Sequence, residues 1–91
     1  MEEIAIITHD RRAALHEVRQ HADTINWTKL TGTFMNGTKF MIIELNDKHD
    51  TQMIRGLRFN SFKICGNPNR SLLSFIKQHC NVEDTRPWNE L

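Results

Sequence analysis

The sequence has no apolar run longer than four residues; Ile4-Ala5-Ile6-Ile7 and Phe40-Met41-Ile42-Ile43 are its longest. A transmembrane helix needs about 20 mostly apolar residues in a row, so no membrane partner is expected. No basic-headed signal peptide is expected either. The chain opens Met1-Glu2-Glu3, whereas a secretory signal begins with positive charge. Only two cysteines occur, Cys65 and Cys80, too few for a disulfide framework. Reduced thiols and a cytoplasmic setting, bacterial or that of an infected host cell, are the expectation. Net charge is nearly absent: 12 basic and 11 acidic residues leave +1. That balance excludes an acidic nucleic-acid mimic and a uniformly basic coat.

What is present fits an ordinary globular domain, 38% hydrophobic and 25% charged over 91 residues. A domain of this size buries roughly 60–65% of its unfolded surface, so an enclosed catalytic cavity competes with the core for the same side chains. Residues 4–7 read as a strand buried on both faces. Thr8 or Asp10 supplies a capping oxygen for a helix over residues 11–22, where Ala14, Leu15, Val18 and Ala22 recur at helical spacing. Residues 28–34, rich in threonine, read as a strand. Asn36-Gly37 predicts a type I′ hairpin returning through residues 39–44. Asp50 caps a short helix over 51–55 that Gly56 closes. Residues 62–65 read as a further strand, and 71–80 carry Leu72, Leu73, Phe75, Ile76 and Cys80 on the apolar stripe of a second helix. The expected order is β-α-β-β-(short α)-β-α, an α/β sheet with helices packed on it, in one small domain over residues 1–80. The hairpin stands at or near the sheet edge, with Lys29 and Lys39 as edge guards. The tail, 81–91, is polar and expected to fray, and its Trp88 either docks on the domain or anchors a partner.

Catalytic motifs are incomplete. Gly32 and Gly37 have the glycine spacing of a phosphate-binding loop, but Thr38 stands where the lysine must follow, and the segment lies between strands rather than opening a helix. His9, His16, His21, His49, Cys65, His79 and Cys80 are the potential metal ligands, yet no CxxC or HxxxH spacing unites them. No metal and no cofactor are therefore expected. His9 beside Asp10 is the one candidate acid–base pair, the basis of an alternative small-hydrolase reading, and no GxSxG elbow accompanies it.

Charge is distributed unevenly. Residues 51–80 contain Arg55, Arg58, Lys63, Arg70 and Lys77 and no acid at all, while residues 1–50 carry six basic and eight acidic side chains. Such a face suits phosphates or an acidic protein surface. Four or five phosphate contacts would give a log–log salt slope of roughly −3.5 to −4.5.

The stretch Asn36-Gly37-Thr38-Lys39-Phe40-Met41-Ile42-Ile43, with Ile54-Arg55-Gly56-Leu57-Arg58-Phe59-Asn60-Ser61-Phe62-Lys63-Ile64 downstream, resembles the ATPase domain of phage large terminases. In that family an NGS turn leads into a strand, and an RG pair precedes the Walker B strand. Residues 4–12 are similar to the strand and helix start that follow the P-loop helix in such RecA-like domains. The resemblance spans about residues 4–65. It implies that family's sheet order and a DNA contact around Arg55-Gly56. Neither a P-loop nor the Walker B acids are present: the strand runs into Ile64-Cys65-Gly66-Asn67, so ATP hydrolysis is not carried over.

The expectation is thus a non-enzymatic, phage-type accessory or inhibitor protein. It binds nucleic acid or a nucleic-acid-processing machine through Arg55, Arg58, Lys63, Arg70 and Lys77, with Arg11 and Arg12 adding to the contact. The alternative is a protein–protein module or homodimer that uses an edge strand and the anchors Trp88 and Met35, with Trp27, Met41 and Met53 as further candidates.

Overall fold

A computed structural model describes residues 2–45, 59–66, 70–79 and 83–91. The chain forms β1 (Glu3–Thr8), α1 (Arg11–Arg19), β2 (Ala22–Asn26), β3 (Thr31–Phe34), β4 (Lys39–Glu44), β5 (Ser61–Cys65) and α2 (Arg70–His79), with a closing 3-10 turn at Trp88–Glu90. The five strands make one sheet in the order β2-β3-β4-β1-β5. Central β1 is parallel to β4 and β5, and β2, β3 and β4 form an antiparallel meander. This is the α/β class that the sequence pattern implies.

The pleat sorts β1 onto two faces. Ile4 and Ile6 point to one side, where Phe40 and Ile42 of β4, Phe34 of β3, and Ala14 and Val18 of α1 complete a core. Ala5 and Ile7 point to the other, where Ile43, Leu45 and Phe62 meet Ile76 of α2. Residues 4–7 are fully buried, so the continuous apolar run does mark a two-sided strand. Each such isoleucine contributes about 1.5–3 kcal/mol through burial.

Three local departures from the sequence pattern have identifiable causes. First, α1 stops at Arg19, and His21 N–H donates to the Val18 carbonyl at 3.0 Å. Ala22, which continues the helical spacing, instead opens β2 and packs on the same core from the sheet. β2 takes the sheet edge, and the β3–β4 hairpin stands next to it. Second, residues 27–30 form a loop rather than the start of a strand. Asn26 Oδ1 accepts the amides of Thr28 and Lys29, both at 3.1 Å, and Leu30 adopts φ 54°. Third, the hairpin is where Asn36-Gly37 places it, but it is a three-residue loop. Phe34 N–H donates to Thr38 O at 2.8 Å and Gly37 N–H to Phe34 O at 2.9 Å, and Gly37 alone in this turn has positive φ, at 87°. A type I′ turn needs two such residues. The helix expected over 51–55 lies outside the described residues.

The tail is folded, not frayed. Glu83 bridges in parallel to Phe62 on the outer side of β5, with Asp84 N–H donating to Phe62 O at 2.7 Å. The chain then passes the amino-terminal end of β1, where Arg86 meets Glu2, and continues on the α1 side. There Leu91 is buried in the α1-side core and Trp88 packs against it.

Candidate functional site

β1 and β5 are neighbouring parallel strands whose chains leave in opposite directions. From β1 the chain enters α1 on one face; from β5 it enters α2 on the other. In open α/β sheets this divergence leaves a crevice at the carboxyl ends of the strands, the usual place for a ligand. Here Thr8 and Cys65 end β1 and β5 side by side, and His9 and Asp10 follow the one and Gly66 the other.

Backbone chemistry fixes its floor. Gly66 has φ 87°, and a Cβ there would lie 2.7 Å from His9 Cε1 and 3.0 Å from His9 Nδ1, so the imidazole rests on the glycine backbone. Buried Thr8 is fully paired: its hydroxyl accepts Asp10 N–H at 3.0 Å and donates to Asp10 O at 2.9 Å, and its carbonyl accepts Leu45 N–H at 2.8 Å.

Asp10 and Glu44 are engaged with the start of α1. Asp10 Oδ1 caps it, accepting from the amides of Arg12 at 3.0 Å and Ala13 at 3.4 Å. Glu44 Oε2 accepts Arg11 N–H at 2.9 Å. Asp10 thus serves the helix rather than orienting His9, which weakens the acid–base pairing of the hydrolase reading. The Arg11 and Arg12 side chains remain exposed, and exposed Arg70 opens α2 on the other flank. Burial, together with the negative charge of Glu17 and Asp10, raises the Cys65 thiol above its ordinary pKa, and nearby Lys63 only partly offsets this. A thiol held protonated is a poor nucleophile. Among the described residues no cluster of His, Cys, Asp or Glu is arranged to hold a metal ion. The arrangement therefore offers an anion the exposed guanidinium groups, the α1 amides being already taken by Asp10 and Glu44.

The acid-free segment does not form one basic face among the described residues. Arg55 and Arg58 lie outside them, as does Met53. Lys63 sits on the α1 side, where its Nζ donates to Arg86 O at 2.6 Å and lies 5.1 Å from the Trp88 ring centroid. It holds the tail. Arg70 and Lys77 are exposed on α2, on the opposite side, two turns apart.

Of the proposed anchors, Trp88 is half-buried, 6.0 Å from the Phe34 ring and stacked on His21 at 6.2 Å. Met35 is exposed at the hairpin tip, and Met41 is half-buried against the α2-side core. Arg86 is neutralised, its Nη2 lying 2.6 Å from Asp84 and 2.8 Å from Glu2.

Trp27, a candidate anchor in the sequence, is 56% exposed, and the Arg19 guanidinium stands 6.0 Å from its ring centroid. Sequence reasoning missed this pairing, because the two residues lie eight positions apart on different elements. On the α2 face of β2 to β4, an open groove of about 600 Å³ is lined by Thr24, Asn26, Thr31, Thr33, Met41 and Phe59. Thr24 and Thr33 bond each other there through their hydroxyls at 2.7 Å. None of the described helices is long and apolar enough to cross a membrane. No family model, curated protein or solved structure matches the chain, so its chemistry is read from its own residues.

Proposed function

We propose that this chain is a non-catalytic binding module that receives a polyanion, with nucleic acid the favoured class, at the carboxyl edge of its parallel strands. The observation that carries the reading is the divergence of β1 and β5. Arg11 and Arg12 open α1 after β1, and Arg70 opens α2 after the adjacent β5, while the neighbouring carboxylates of Asp10 and Glu44 accept backbone hydrogen bonds. A role as a small accessory protein of a nucleic-acid-processing machine agrees with the terminase-like stretch and with the missing phosphate loop. Arg55 and Arg58 remain candidate contacts on the same acid-free segment.

Fluorescence polarisation with labelled DNA and RNA at low salt tests it. The triple variant Arg11→Ala, Arg12→Ala, Arg70→Ala is expected to weaken binding at least tenfold with its melting temperature preserved. Wild-type protein that ignores every nucleic acid, or a triple variant that binds as well as wild type, would reject the reading.

A second copy of the chain is the competing partner, since β2 is an outer strand of the sheet. The register shift between Ala22 and Thr24 and the exposed Asp23 oppose continuous strand pairing there.

A further inference from the structure

We infer that Trp27 is a stacking platform for a base of single-stranded nucleic acid, flanked by Arg12, Arg19 and Lys29 as phosphate contacts. The inference rests on the polyanion reading and narrows its ligand to unpaired strands. A solitary exposed aromatic residue is commonplace. Three features set Trp27 apart.

The loop that carries it is pinned: Asn26 Oδ1 holds the Thr28 and Lys29 amides, and Leu30 O accepts Ile42 N–H at 2.8 Å, so the indole stands on a fixed base. A cation is already beside the ring, the Arg19 guanidinium at 6.0 Å. That cation belongs to a line. With Ala14 and Val18 facing the sheet, Arg12 and Arg19 fall on one flank of α1, two turns or about 10.5 Å apart. Glu17 lies roughly 160° round the helix from Arg19 at about 100° per residue, on the opposite flank. Exposed Lys29 follows Trp27 by two positions.

The line starts at the head of α1, with Arg12, and ends at the indole. Stacking accepts any base because every base has a π face, but a duplex keeps its bases stacked on one another and offers only phosphates. The same surface therefore discriminates unpaired strands from duplex without reading sequence.

Polarisation titrations with a labelled 15-nucleotide oligothymidine and a 15-base-pair duplex, using wild type, Trp27→Ala and Trp27→Phe, decide the matter. Wild type is expected to prefer the single strand. Trp27→Ala should lose about 5- to 150-fold in single-strand affinity and less than twofold for duplex, and Trp27→Phe should retain most of the affinity. Unchanged melting temperatures show that both variants fold. If Trp27→Ala binds the single strand within twofold of wild type, or loses equally on both probes, the stacking role is wrong while polyanion binding stands. If wild type binds neither probe, both readings fall.

Discussion

His9 rests on Gly66: a side-chain carbon at position 66 would come within 2.7 Å of the imidazole Cε1. This contact joins the segments that follow β1 and β5, and so sets the width of the crevice. Gly66 also has φ 87°, a region L side chains avoid at a cost of roughly 1–2 kcal/mol. Gly66→Ala is expected to destabilise the domain by about 2–3 kcal/mol, the backbone strain plus displacement of the ring. Adding His9→Ala should recover the steric part and leave roughly 1 kcal/mol. Urea denaturation of the two variants checks this. Equal losses in both would mean that the imidazole does not press on residue 66.

The tail brings a pH dependence. Asp84 is buried, and its carboxylate accepts from Arg86 Nε at 3.0 Å and Nη2 at 2.6 Å and from Arg86 N–H at 3.0 Å. These bonds hold its pKa below the ordinary value despite the opposing effect of burial. The folded state thus binds this proton more weakly than the unfolded chain does. The stability contributed is complete above the unfolded value, about 3.9, and is lost as pH falls through the lower folded one. Asp84→Asn is expected to cost about 1.5–3 kcal/mol at pH 7 and much less near pH 2. Denaturation midpoints at both pH values report the difference; a penalty that stays constant with pH would contradict it.

Leu91 fixes the tail on the α1 side and is 2% exposed. Leu91→Ala should destabilise by about 2 kcal/mol, the low end for a buried leucine because a segment at the sheet margin relaxes easily. In a domain of this size that lowers the melting temperature by roughly 8–16 °C. Hydrogen exchange should speed up at Asp84, whose amide bonds to Phe62 O. A melting temperature within 2 °C of wild type would show that the tail is not part of the folded unit.

Much of this architecture is legible in the sequence, for physical reasons. Residues 4–7 have no polar position, and only a strand covered on both faces tolerates that. Asp10 is the expected cap, and Asn36-Gly37 marks the hairpin even though only Gly37 adopts positive φ. β2 was hidden because Ala22 satisfies the helical spacing and because Ile25 is its one larger apolar residue. The tail's docking was hidden because Trp88 and Leu91 are isolated among polar residues, and ion pairs such as Asp84–Arg86–Glu2 depend on distant segments meeting. For the proposed site, charge counting names Arg11, Arg12 and Arg70, which are exposed at helix starts, and also Lys63, which bonds the tail. Only the sheet topology shows that adjacent strands send their helices to opposite faces.

The salt dependence of binding tests the crevice most directly. Three phosphate contacts through Arg11, Arg12 and Arg70 imply a slope of log affinity against log salt of roughly −2 to −2.7, taking about 0.7 to 0.9 per contact. With wild type, a slope at least that steep is expected between 50 and 200 mM salt, and the triple alanine variant should flatten it by about that amount, leaving what Arg19 and Lys29 contribute. A variant that keeps the wild-type slope would place the phosphate contacts elsewhere on the molecule and contradict the assignment of the crevice.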